Sequence, residues 1–234
     1  MTTERPHAES GLGSGLGFSE LVPRYVLIED AVRGQRVLEV GSVEPEGLLR
    51  LAAAGAAKVT ATVERAERHD RARLRARRIE LVTMDVGQLD FDDHSFDVVL
   101  VPDLLSSLAA NPDVLRELRR VLAPDGFGLL GFEAAGRPLG QLFGGRASSI
   151  LRGDPRRVLE SIRGVFGRAK LFRQTPFVGV AFLAEATSAD AGLSLDTSLS
   201  GLDGEPSHLM AVVGRVEALP DERTHVGLVM AGPR

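Results

Sequence analysis

Leu81-Val-Thr-Met-Asp85, then Leu89-Asp-Phe91, then His94-Ser-Phe-Asp-Val-Val-Leu100, sets two apolar runs on either side of an acidic turn. Ile79 to Met84 and Phe96 to Val101 are short and rich in branched residues, as strands buried on both faces are. Downstream, Asn111 precedes Pro112, and Leu115, Leu118, Val121 and Leu122 follow at helical spacing. That is a helix with an asparagine cap and proline at its first position. Pro124-Asp-Gly126 breaks it, and Phe127 to Phe132 reads as a further strand.

The same alternation extends upstream. Val37 to Val40 is a strand, and Gly47 to Ala54 a helix of strong formers stopped by Gly55. Val59 to Val63 is a strand, and Glu64 to Arg78 a charged helix. Before them, Ser19 to Val32 carries a helical stripe of Leu21, Tyr25, Leu27, Ile28 and Val32, with Pro23 in its first turn and Gly34 at its end. Apolar strands separated by helices predict a doubly wound α/β three-layer sandwich with a mostly parallel sheet. After Phe132 the pattern changes. Pro155 to Phe166 is a helix, Lys170 to Ala184 is strand-rich, Ser188 to Pro206 is a polar loop, and His208 to Val216 is a final strand. Two strands joined without a helix predict an antiparallel pair at the sheet edge. The expected organisation is a flexible arm over residues 1–17, one domain over 18–217 and a tail over 218–234.

Composition narrows the function classes. The 234 residues are 44% hydrophobic and 26% charged, normal for a globular chain. A net charge of −4 argues against bulk nucleic-acid or anionic-membrane binding. The absence of cysteine excludes disulfides, zinc-thiolate sites and thiol catalysis. His7, His69, His94, His208 and His225 show no metal-ligand spacing and read as surface or loop residues. Neither a signal-peptide pattern nor an apolar run near the ~18 residues of a membrane helix is present, so a cytoplasmic location is expected.

The segments quoted above resemble the class I S-adenosylmethionine (SAM) dependent methyltransferases that act mostly on small molecules. That family writes an apolar strand, an acid, a turn ending L-P-F, then s-F-D-v-V, and later L-x-E-x-x-R-V-L-x-P-G-G. The last is matched by Leu115-Arg-Glu-Leu-Arg-Arg-Val-Leu-Ala-Pro-Asp-Gly126. The resemblance covers about residues 20–217 and implies seven strands in the order 3-2-1-4-5-7-6, with strand seven antiparallel. The chain departs from the family in the cofactor loop. Where the family writes E/D-x-G-x-G-x-G, this chain has Glu39-Val-Gly-Ser-Val-Glu-Pro45, so Val43 and Pro45 replace two glycines. Val43 adds a branched side chain where close approach is expected, and Pro45 removes a backbone donor. Gly47 compensates if the turn is two residues longer.

By resemblance, Glu39, Gly41, Ser42 and Val43 form the cofactor turn, and Glu64 accepts the ribose hydroxyls. Asp85 meets the adenine amino group, with Val86 beside it and Val101 at the exit of the fourth strand. Glu64 and Asp85 also have structural readings, as a helix-dipole partner and a turn cap. Asp97 reads as structural, and Phe91 and Phe96 as core. Asp103 is the candidate general base, although it also suits a helix cap.

Two functions remain open. One is methyl transfer from SAM to a small molecule. The other is a pseudoenzyme that has lost the cofactor and serves as a protein-binding scaffold. The arginines between Arg65 and Arg78 suit either a solvated helix face or a patch for an acidic partner; without interleaved aromatics they do not suit single-stranded nucleic acid.

Overall fold

The computed structural model describes residues 20–41, 44–63, 73–103, 111–134, 136, 154–176 and 206–219. Seven strands form one sheet: β1 (Arg36–Val40), β2 (Lys58–Val63), β3 (Ile79–Thr83), β4 (Phe96–Val101), β5 (Leu122–Glu133), β6 (Ala169–Gln174) and β7 (His208–Gly214). Their order is β3-β2-β1-β4-β5-β7-β6. The first five run parallel, and β7 pairs antiparallel with both β5 and β6, giving the predicted antiparallel edge pair.

Among the described residues, the helices α1 (Val22–Ile28), α2 (Pro45–Ala53), α3 (Pro112–Val121) and α4 (Pro155–Phe166) flank the sheet. One apolar layer joins Tyr25 and Ile28 of α1 and Leu48 and Leu51 of α2 to Val37, Val98, Phe127 and Val212. On the opposite face, Leu115 and Leu118 of α3 and Ile162 of α4 pack on Leu38, Val99, Leu130 and Val213. Each fully buried leucine or valine is worth about 1.5–3 kcal/mol relative to exposure, so both faces of the sheet are anchored.

Local chemistry sets the helix ends. Asn111 caps α3 by accepting from the Asp113 amide at 3.0 Å, as its sequence predicts. Asp154 does the same for α4 through the Arg156 amide at 3.0 Å. Gly167, at φ +79°, ends α4.

Several expected boundaries shift. Helix α1 is shorter than the stripe suggests, because a 3-10 turn over Glu29–Ala31 tightens its end before Gly34 at φ +73°. Helix α2 starts at Pro45 rather than Gly47, because proline is favoured in the first helical turn. Strand β5 starts at Leu122, which pairs with Phe96 before the register shifts and Phe127 pairs with Val98. Strand β7 ends at Gly214, whose φ of +72° turns the chain into the 3-10 turn holding Val216. Of the strand-rich stretch 170–184, Lys170–Gln174 lie in β6, and 177–184 fall outside the described residues together with the loop 188–205. In the charged segment 64–78, residues 73–76 are helical and 64–72 lie outside the described residues.

Candidate functional site

In an open parallel sheet, ligands bind beyond the carboxyl ends of the strands, where the strand order reverses. Here that point lies between β1 and β4. Glu39 stands near the end of β1 and is completely buried, with Ala61 of β2 and Leu100 of β4 as its strand neighbours. The Tyr25 phenol lies against it. Burial, then the charge of Glu39, raises the Tyr25 pKa well above the ordinary phenol value.

Gly41 follows at φ +90°, a conformation that favours glycine. Among the described residues, a Cβ added there would meet Val86 Cγ1, at 3.9 Å. The structure therefore brings the β1 turn and the post-β3 turn together. Val86 and Val101 belong to one apolar cluster with Val40 and Leu89. Asp85 is exposed, and its Oδ1 accepts from the Gly87 amide at 2.8 Å, the turn-capping contact. Ser42, Val43 and Glu64 lie outside the described residues.

The two unusual residues of the loop now have positions. Pro45 occupies the first turn of α2, where its missing N–H leaves no helical bond unmade. Glu44 is the N-cap residue, so a carboxylate stands at the positive end of this helix. Gly47 does not extend the cofactor turn. It is buried inside α2, and any Cβ would overlap the Tyr25 ring.

At the far side of the same edge, Arg24 of α1 is only 2% exposed. Its Nη1 donates to the Pro102 carbonyl, and its Nε donates to Gln174 Oε1 at 2.9 Å. Burial lowers its pKa, and Asp103, Glu20 and Glu133 oppose that loss of charge. Asp103 thus stands at the β4 exit within the field of a buried guanidinium. Gly131 makes room here, since a Cβ on it would overlap the Pro102 carbonyl.

His208 departs from its expected surface position. It is the first residue of β7, 6% exposed, and lies opposite Glu133 in the β5–β7 ladder. Its buried setting arises because β7 runs antiparallel and brings its first residue to the same sheet edge as the ends of β4 and β5. The signal available in sequence was its place at the head of an apolar strand. His94 is exposed in its loop, as expected, with Nδ1 2.9 Å from the Leu122 carbonyl.

The other hallmark residues hold the frame. Asp97 accepts from the Arg36 amide at 2.8 Å, from its Nε at 3.0 Å and from its Nη2 at 2.8 Å. Arg120 pairs with Glu117 and Asp93 and donates to the Leu89 and Phe91 carbonyls at 2.7 and 2.6 Å. Phe91 and Phe96 meet edge to face with centroids 5.0 Å apart, within the core. Among the described residues, no group of three His, Asp or Glu is placed to hold a metal ion, and no helix is long and apolar enough to cross a membrane.

Residues 38–130 match the family model of the methyltransferase domain. No curated protein matches the chain. Among solved structures, the 1,6-didemethyltoxoflavin-N1-methyltransferase of Burkholderia thailandensis, with S-adenosylhomocysteine bound, has a TM-score of 0.54 and 19% identity over 82% of this chain and 76% of that one. The phosphoethanolamine N-methyltransferase 2 of Haemonchus contortus gives 0.52 and 18% identity over 66% of this chain and 39% of that one. The [4+2]-cyclase SpnF is 26% identical, with a TM-score of 0.49; the match covers 63% of this chain and 57% of the cyclase. The match to the methyltransferase-domain model and the strand order together show that this chain has the fold of the class I SAM-dependent methyltransferases.

Proposed function

We propose that the protein binds SAM at the carboxyl edge of β1 and β4 and transfers its methyl group to a small-molecule acceptor. The observation that carries this reading is the buried Glu39 carboxylate followed by Gly41 at φ +90°, whose backbone faces Val86 of the turn after β3. The Glu39 carboxylate sets negative charge at the end of β1, the complement of a methionyl ammonium, and the glycine admits close approach. The residues present therefore fit the cofactor. Glu39, Gly41, Ser42 and Val43 would hold its methionyl end, Glu64 its ribose and Asp85 its adenine amino group, with Val86 and Val101 as apolar wall. SAM would supply a methyl group already activated on a sulfonium.

Asp103, beyond the end of β4, is then a carboxylate facing the acceptor, in position to accept its proton. Transfer otherwise needs alignment more than a fixed triad.

A second reading is a scaffold that no longer binds SAM. Glu44 favours it, because a carboxylate at the N-terminus of α2 opposes the cofactor's own carboxylate there. In that reading the partner is a protein, acidic if the Arg65–Arg78 segment is the contact. Calorimetric titration with SAM separates the two. Saturable binding supports the enzyme, and its absence supports the scaffold.

A further inference from the structure

We propose that Arg24 is a positioning residue for the acceptor-facing carboxylate: its guanidinium fixes the β4 exit at Pro102 and so sets where Asp103 stands. This rests on the methyltransferase reading above, in which Asp103 accepts the acceptor's proton. Nη1 of Arg24 donates to the Pro102 carbonyl, the last peptide before Asp103. Gly131 of β5 lies hard against the same carbonyl, which is therefore in contact with the sheet and bonded to α1. Nε of Arg24 donates to Gln174 Oε1 at 2.9 Å. Gln174 is fixed in turn. Its Nε2 donates to the Glu20 carbonyl at 3.0 Å, and its own carbonyl accepts from the Ser207 amide at 3.0 Å and from Ser207 Oγ at 3.1 Å. One guanidinium thus ties α1, the end of β6 and the exit of β4 into a single frame.

Packing alone does not account for this residue. Among the described residues Arg24 is the one arginine that is buried. A buried guanidinium is costly unless nearby charge repays its lost hydration. Here both bonds go to neutral oxygens, and among the described residues no carboxylate pairs with it directly. An apolar side chain of similar length would fill the same space at less cost. It would not supply a fixed donor to Pro102 together with a positive charge beside Asp103. Lysine keeps the charge, but its single ammonium lacks the planar fork that reaches two acceptors at once.

The electrostatics run the same way. The charged and titratable groups that act on the guanidinium are Asp103 from the β4 exit, Glu20 and Tyr25 from the α1 side and Glu133 from β5, while β6 contributes the neutral Gln174. Asp103 is the strongest of them. Asp103 itself is half-buried, and among the described residues no hydrogen bond or ion pair claims its carboxylate. A neighbouring positive charge favours the ionised form of a carboxylate, the form that takes a proton. Because the guanidinium spends its bonds on Pro102 and Gln174, it supplies that charge without occupying the oxygens that would do the work. The next residue on α1, Tyr25, lies against Glu39, so adjacent side chains of one helix support the acceptor end and the methionyl end of the site.

Carbon-13 NMR of the side-chain carboxyls in the whole protein tests this without turnover, with Asp103 assigned from Asp103→Asn and each variant first shown to be folded by its thermal transition. In Arg24→Met the Asp103 carboxyl is expected to titrate about half a pH unit or more above its midpoint in the parent protein. In Gln174→Leu, which keeps the charge but frees the guanidinium, the midpoint moves the same way by less. The exposed Asp90 is the control and stays where it was. An unchanged Asp103 midpoint in both Arg24→Met and Gln174→Leu, or full recovery of the parent midpoint in Arg24→Lys, overturns the proposal. If Arg24→Met does not fold, Gln174→Leu and Arg24→Lys decide alone. Failure of the parent protein to bind S-adenosylhomocysteine defeats the methyltransferase reading instead, and the same titrations still decide whether Arg24 sets the Asp103 carboxylate.

Discussion

The ring of Tyr25 lies directly against Gly47, so closely that α1 and α2 meet only because Gly47 has no side chain. Gly47→Ala therefore overpacks this contact and is expected to cost about 1–3 kcal/mol. It also shifts the phenol that lies against Glu39, so affinity for S-adenosylhomocysteine falls with stability. Urea denaturation and calorimetry check both. An alanine variant with unchanged midpoint and affinity contradicts the packing argument.

Asp97 joins β4 to β1 through the backbone and guanidinium of Arg36, and these bonds hold its pKa below the ordinary carboxylate value. The native state thus favours the ionised form. An unfolded aspartate titrates near about 3.9. Its stabilising contribution is complete above that pH and is lost as pH falls through the lower folded value. Asp97→Asn is expected to cost about 1–2 kcal/mol at neutral pH. The gap to the parent protein should close in strong acid, as a series of denaturation curves from pH 7 to pH 2 would read.

Arg120 ties α3 to the turn after β3, with two carbonyls and two carboxylates on one guanidinium. Glu117 completes the clamp by accepting from the Leu89 amide at 3.2 Å. Arg120→Lys keeps the charge but loses the planar fork, so it should recover little of the loss in Arg120→Ala. That loss is about 1.5–3 kcal/mol. Faster amide exchange at Leu89 in both variants is the local signature; an unchanged rate there argues against the clamp.

Glu44 caps α2 without a side-chain cap hydrogen bond. Glu44→Ser supplies a favoured cap and removes the negative charge. If the cofactor's carboxylate approaches this helix end, affinity for S-adenosylhomocysteine should rise about tenfold, or ~1.4 kcal/mol. Unchanged or weaker binding places that carboxylate elsewhere.

Much of this was readable in the chain because local signals agreed with the final packing. Asn111-Pro112 and the Pro155–Phe166 helix lie where their capping chemistry puts them, and the apolar runs became the central strands. The series from Leu81 to Gly126 was legible because Arg120, Glu117, Asp97 and Arg36 bind its pieces to one another and to β1. What sequence spacing did not reveal came from contacts distant in the chain. Gly47 read as the first residue of a helix and as a substitute glycine for a longer cofactor turn, until Tyr25 was placed upon it. His208 looked like a loop residue until antiparallel β7 set it opposite Glu133. Arg24 gave no local sign that it would be buried against the ends of β4 and β6, since its partners lie 78 and 150 residues away.

The central claim is that the altered loop still holds SAM. Calorimetric titration of the protein with S-adenosylhomocysteine, with thermal unfolding alongside, tests it most directly. The account predicts saturable binding at micromolar strength, and a gain of about 2.7 kcal/mol in stability at a hundredfold excess over Kd. No heat of binding and no stabilisation at millimolar ligand would contradict it.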